Sequence, residues 1–160
     1  EAWSRTRFHL PDPGALKPLL ARHPGPWVIV TAWNPGAGRP GTAETATPDA
    51  NRVRDRALEG WLREAGRPAL RIVGRAPPPQ THAEPGWLVP VASLEEALEM
   101  GAAWKQDGVY LVLPPDTLVL AWCAPGEGPP PRELGSFRAR LLTPPGAGGS
   151  GRPGPPGGPG

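Results

Sequence analysis

Two apolar runs with one well-capped helix between them do most to limit the architecture open to this chain. Residues 27–33, WVIVTAW, are apolar at both alternating positions, as in a strand covered on both faces. Between Thr47 and Gly66 the apolar positions Ala50, Val53, Ala57, Leu58, Trp61, Leu62 and Ala65 recur with helical spacing. Thr47 is placed to cap the helix start, Pro48 suits the first helical position, and Gly66 suits a left-handed stop. ALRIVG, residues 69–74, then reads as a second strand. A strand, a helix and a strand in that order predict two strands running the same way, joined by a right-handed crossover.

A proline-rich loop, RAPPPQTHAEPG, leads into WLVPV at 87–91, a third strand. Pro90 has no amide to donate, so this strand is expected to be short or at a sheet edge. Ser93 and Glu96 form a capping box for a second helix with Leu94, Ala97, Leu98, Gly101 and Trp104 on one face. VYLVL (109–113) and TLVLAWC (117–123), joined by PPD, predict a hairpin. The order β-α-β-β-α-β plus an extra C-terminal strand predicts an α+β, ferredoxin-like split β-α-β sheet with two helices on one face. The third and fourth strands then form a second same-direction pair, opposed to the first. The other sheet face needs cover, because Trp27, Ile29 and Val119 would otherwise be wet; RFHL and FRARLL, near the two ends, are the candidates.

Composition divides the chain. Proline (26) and glycine (22) are abundant, but 14 of them fall in the 17 residues 144–160, without a collagen-like period. That places a single α+β domain at 1–143 and a disordered Pro/Gly-rich tail at 144–160. A formal charge of +2 is too small to imply a nucleic-acid surface, and nearly all the basic residues are arginine. The one cysteine, Cys123, rules out an internal disulfide and any multi-thiolate metal site, which makes a reducing cytoplasm the expected location. No apolar run approaches the roughly 20 residues a bilayer needs, and no signal-peptide pattern is seen, so no membrane association is expected.

Chain direction locates a site. The loop after the first strand, the start of the first helix, the end of the second strand, the start of the third and the last turn of the second helix all belong to one sheet edge. Asn34, Asn51, Arg54, Asp55, Glu84, Gln106 and Asp107 therefore share one rim. Helical phase puts Arg54 in the middle of the apolar stripe, Asn51 at its margin and Asp55 one turn beyond Asn51. Buried polar groups need partners, so two arrangements are open. In one, Arg54 pairs with Glu84 or Asp107 while Asn51 caps the backbone of the Asn34 turn; in the other, the rim is a polar pocket for a small ligand.

The loop at 36–41 spells G-x-G-x-x-G, yet the helix starts only near Pro48 and Pro40 removes an amide, so the spacing is wrong for a dinucleotide fingerprint. No Walker motif is present. His9, His23 and His82 are scattered, which leaves no convergent metal set. Cys123 is expected to be a small buried hydrophobe and Ser93 is spent as a cap.

TAWNP, ANRVRDRAL, EPGWLV and QDGVY together resemble the uncharacterised bacterial domain of unknown function family 3293, over roughly Trp27 to Leu113. The resemblance implies that Asn34, Pro35, Asn51, Glu84, Pro85, Gln106 and Asp107 occupy the recurring motif positions. Asp55 departs from it, since an asparagine is expected there. No chemistry comes with the resemblance, because the family has no established activity.

The expected function is non-catalytic binding of a small polar ligand or a partner chain at the sheet edge, without a cofactor or metal. The alternative is a hydrolase or transferase acting on a nucleotide-like substrate, with Glu84 as general base and Gln106 and Asn34 orienting the substrate. A second alternative is an RNA-binding module that stacks bases on Trp27 and Trp33. A nucleic-acid partner is not expected, because the strands lack the basic and aromatic residues of that class.

Overall fold

The structure is a computed structural model that describes residues 3–34, 47–79, 82–123 and 128–142. Seven strands form one sheet: β1 (Arg7–His9), β2 (Trp27–Val30), β3 (Leu70–Arg75), β4 (Ala83–Pro90), β5 (Gly108–Leu113), β6 (Thr117–Trp122) and β7 (Arg132–Ser136). Three α-helices accompany them: α1 (Leu16–Arg22), α2 (Pro48–Glu64) and α3 (Leu94–Ala103). The strand order is β1-β3-β4-β2-β5-β6-β7, every neighbouring pair is antiparallel, and the sheet curls into a half-barrel.

This corrects the expected two-helix, ferredoxin-like sheet. β2 and β3 do run the same way and β4 and β5 the opposite way, but the sheet continues past them on both sides and a third helix is present. Neither added edge announces itself in sequence. β1 is three residues long, and β7 contains Gly135 and charged residues in place of an apolar alternation. These segments are strands because the sheet edges accept their backbones, which is a tertiary cause. WLVPV also proves to be the end of an eight-residue interior strand, with β3 on one side and β2 on the other. Its prolines are tolerated by position. The Pro85 carbonyl accepts from Thr31 Oγ1 at 2.9 Å, so its donor-less nitrogen faces the side where the β2 ladder has already ended. Pro90 is the last residue of the strand, and its carbonyl accepts from Arg67.

Each face has its own core. α2 and α3 lie on one, where Leu58, Leu62, Ala97 and Met100 meet Val28, Val30, Val89, Leu111 and Val119. Val119 thus belongs to the helix side and not to the face on which it was expected. The other face is closed as anticipated by the two end segments: Phe8, Leu10, Phe137 and Leu141 pack with Trp27, Ile29, Ile72 and Leu88, joined by Leu16, Leu19 and Leu20 of α1. The ends also pair with each other, for Leu142 N donates to the Phe8 carbonyl at 2.7 Å and Arg140 donates to the carbonyls of Ser4 and Thr6.

Both long helices begin where the sequence places them. Thr47 Oγ1 accepts from Ala50 N at 3.2 Å and Ser93 Oγ from Glu96 N at 3.1 Å, while Gly66 takes the left-handed conformation at φ 64°. Their rotation is another matter. The inner face of α2 is Asn51, Asp55, Leu58 and Leu62, whereas Val53 is 63% exposed and Trp61 38% exposed. Arg54 therefore sits at the margin of the buried stripe and Asn51 within it, the reverse of the phase assigned from sequence. The G-x-G-x-x-G stretch at 36–41, Pro35 and the expected tail at 144–160 lie outside the described residues. Among the described residues, no helix is long and apolar enough to cross a membrane.

Candidate functional site

The centre of the site is a chain of three side chains from three elements. After β2, the backbone turns through Asn34, which has a positive φ of 46°, a conformation that asparagine adopts more readily than most residues. The turn is held by Asn51 on the first turns of α2: Asn34 N donates to Asn51 Oδ1 at 2.9 Å, and Asn51 Nδ2 donates to Asn34 Oδ1 at 3.0 Å. Asn34 Nδ2 is then free to reach β4, where it donates to Glu84 Oε1 at 3.0 Å. Asn34 and Asn51 so arranged hold each other, and Asn34 passes a side-chain donor on to a carboxylate, which orients Glu84.

Two further rim residues brace the same turn from the helix side. Gln106, only 6% exposed, donates from Nε2 to the carbonyls of Trp33 and Trp104 at 3.2 and 3.3 Å. Arg54 donates from Nε to the Ala32 carbonyl at 2.8 Å and from a terminal nitrogen to the Trp104 carbonyl at 3.2 Å. Arg54 thus ties the end of α3 to the end of β2 through carbonyl oxygens, and pairs with neither Glu84 nor Asp107 among the contacts seen. Asn51 does hold the Asn34 turn as the structural arrangement anticipated.

Asp55 is engaged elsewhere. Asp55 makes a two-point ion pair with Arg71 of β3 at 2.8 and 2.7 Å, and the Arg71 guanidinium lies 4.0 Å from the centroid of the Trp87 ring, all beneath α2. Its carboxylate is a fastener between helix and sheet. Asp107 precedes β5 on the helix side, where its carbonyl accepts from Cys123 N at 2.8 Å. Burial, with the Asp107 charge adding to it, pushes the Cys123 thiol up to about 11, the opposite of what a nucleophilic thiol needs.

Asn34, Asn51 and Glu84 line the polar end of a cavity of about 520 Å³ that lies over the Phe8, Ile29 and Tyr110 face of the sheet and reaches round to the start of α2. The rest of its wall is largely apolar, with Trp3, Phe8, Ile29, Trp33 and Tyr110, but it also includes Thr6, Thr31 and His82. Trp3 stacks on Tyr110 with centroids 5.9 Å apart, and Phe8 meets Tyr110 edge-on at 5.2 Å. The Tyr110 hydroxyl donates to the Trp3 carbonyl at 2.7 Å and lies 3.0 Å from Thr6 Oγ1. Burial raises its pKa to about 12, so it is a neutral phenol at physiological pH. The hollow exists because small residues form its floor. Gly74, Ala76, Ala83, Gly86 and Gly108 all border it, and a Cβ on Gly86 would come within 2.6 Å of the Val30 carbonyl oxygen.

Sequence reasoning located the Asn34, Asn51 and Glu84 rim but missed this aromatic chamber beside it. The available signal was the alternation of Ile29, Thr31 and Trp33 on one face, together with glycines near the matching ends of the neighbouring strands. Trp3 and Phe8 gave no sign, since their approach depends on how the N-terminal segment crosses the sheet. Among the described residues, no group of three or more His, Cys, Asp or Glu side chains is placed to hold a metal ion.

A family model described as a protein of unknown function, DUF3293, matches residues 30–109, half of the chain, and the chain belongs to that family. The match runs from the end of β2 to the start of β5, so it takes in the Asn34, Asn51 and Glu84 chain while leaving Trp3, Phe8 and Tyr110 outside. No curated protein and no solved structure matches.

Proposed function

We propose that this member of the DUF3293 family is a binding protein that takes a small polar ligand into the chamber beside Asn34, Asn51 and Glu84, without covalent chemistry. One observation carries the reading: a hydrogen-bonded amide–amide–carboxylate chain borders a cavity of about 520 Å³ whose other walls are mostly apolar and include four aromatic side chains. Apolar walls with a few fixed polar groups at one end are the common form of small-molecule sites, and this volume lies within their usual range. The polar groups are preorganised by each other, which lowers the ordering cost of binding. Nothing among the described lining residues is set up as an activated nucleophile, and the buried thiol of Cys123 belongs to the opposite face of the sheet.

A thermal-shift panel of nucleotides and small metabolites tests this reading. The expected result is a ligand-dependent rise in melting temperature that shrinks in Glu84→Ala and in Asn51→Ala. Asn51→Ala also frees two partners on Asn34, so its unliganded stability is expected to fall by about 1–3 kcal/mol. A panel that leaves the melting temperature unchanged, or variants stabilised as strongly as the parent chain, would overturn the proposal.

A further inference from the structure

We infer that the chamber selects an organic cation, a flat or compact apolar body carrying a protonated nitrogen that reaches Glu84. This rests on the binding reading above and specifies its ligand class. The charge balance of the wall is the first argument. Glu84 is the one carboxylate among the described lining residues, no lysine or arginine is among them, and His82 is the one basic side chain there. One of its oxygens accepts from Asn34 Nδ2, which aims the carboxylate without neutralising it, because the donor is a neutral amide. A cationic donor is the complement that such a group takes best in a partly desolvated site.

The aromatic wall is the second argument. Trp3, Trp33, Tyr110 and Phe8 present ring surface, whose negative faces attract ammonium and guanidinium groups and repel anions. The Tyr110 hydroxyl is already spent on Trp3 and Thr6, so the residue adds ring surface to the wall and not a free oxygen.

Among the described residues, the obvious source of the opposite preference is weak. A helix start often draws anions through its free amides, and Pro48, at the first position of α2, borders the chamber. Here most of those donors are committed: Pro48 has none, Ala50 N donates to Thr47 Oγ1, and Asn51 N donates to the Thr47 carbonyl, which leaves the Asp49 amide. The Asp49 carboxylate, in the same turn, pairs with Arg52 at 2.7 Å, so the turn adds no net positive side-chain charge. Arg140, whose charge acts on Tyr110, is not among the described lining residues and donates to the carbonyls of Ser4, Thr6 and Leu134.

Three probes of nearly one shape separate the outcomes: 2-phenylethylamine, 2-phenylethanol and 3-phenylpropionate, titrated by calorimetry and followed through the Trp33 indole and Tyr110 ring resonances. The amine is expected to bind at least about tenfold more tightly than the alcohol, with the carboxylate weakest. Glu84→Gln keeps an oxygen to accept from Asn34, so the fold is retained, and the amine should fall to the level of the alcohol. Replacement of Trp33 by leucine should weaken the amine severalfold while Glu84 remains. Equal or tighter binding of the alcohol or the carboxylate at the same resonances would overturn the cation assignment and leave the binding reading standing. Amine affinity unchanged in Glu84→Gln would overturn the assignment too. If no probe moves those resonances, the cation assignment falls, and the thermal-shift panel decides the binding reading on its own.

Discussion

Tyr110 is the only tyrosine in the chain and stands at the junction of the chamber and the core beneath it. Folding favours its neutral form, chiefly through burial, so the stability it contributes is whole below the ordinary tyrosine pKa and is lost as pH rises from about 10 to about 12. A spectrophotometric titration reports this residue alone. The tyrosinate band should appear near pH 12 in the folded protein and near pH 10 in denaturant, and coincident midpoints in the two would contradict the buried hydroxyl. Asn34 and Asn51 illustrate a different residue-scale rule. Polar side chains on the inner face of a helix are stable only if every donor and acceptor is used, and here the sequence did show the problem while the coordinates show how it is solved. The polar types at 34, 51 and 84 were legible as a rim because chain direction alone brings their elements together. Asp55 was misassigned to the rim because its partner, Arg71, lies on a strand whose face could not be paired with a particular helix turn in advance.

At the scale of elements, α3 is anchored by more than its cap. Glu96 accepts from Ala92 N at 2.7 Å and pairs with Arg67, just beyond α2. The Ala92 amide first, and then Arg67, hold its carboxyl below the usual glutamate range. The sign follows from linkage: the stability it lends is present above the unfolded-state pKa and is lost as pH falls through the lowered folded value. Glu96→Gln is therefore expected to cost about 1 kcal/mol at neutral pH and to flatten the loss of melting temperature between about pH 5 and pH 3. An acid limb as steep as that of the parent chain would show that Glu96 does not carry it. The limits of the helices were readable because caps and stops are local chemistry. Their rotation was not, because Val53 and Trp61 are as apolar as Leu58 and Leu62; the choice of buried face is made by the residues that meet the sheet.

Across the whole molecule, the first and last described segments close one face of the sheet. Phe8 and Phe137 are each 1% exposed with ring centroids 6.0 Å apart, and Phe8 bridges to Leu141. Phe8→Ala should cost about 3–5 kcal/mol, since it opens a cavity where the N-terminal segment, β3 and the C-terminal segment meet. In urea this appears as a lower midpoint with an unchanged slope if the sheet unfolds as one unit. A loss below about 1 kcal/mol would show that the N-terminal segment is not integral to the core. The same closure forms the aromatic wall of the chamber, so Phe8→Ala should also weaken any ligand that Trp3 and Tyr110 contact.

The sequence by itself determined the strand–helix–strand order, the caps and stops of the two long helices, the hairpin of β5 and β6, and the edge at which Asn34, Asn51 and Glu84 meet. All of these follow from local periodicity, turn chemistry and chain direction. Only the tertiary structure decided that β1 and β7 join the sheet, which side of α2 is buried, and that glycine-floored space beneath Trp3 and Trp33 remains open. Those outcomes depend on surfaces brought together from distant parts of the chain, where a three-residue strand or a glycine has no meaning until its neighbour is in place.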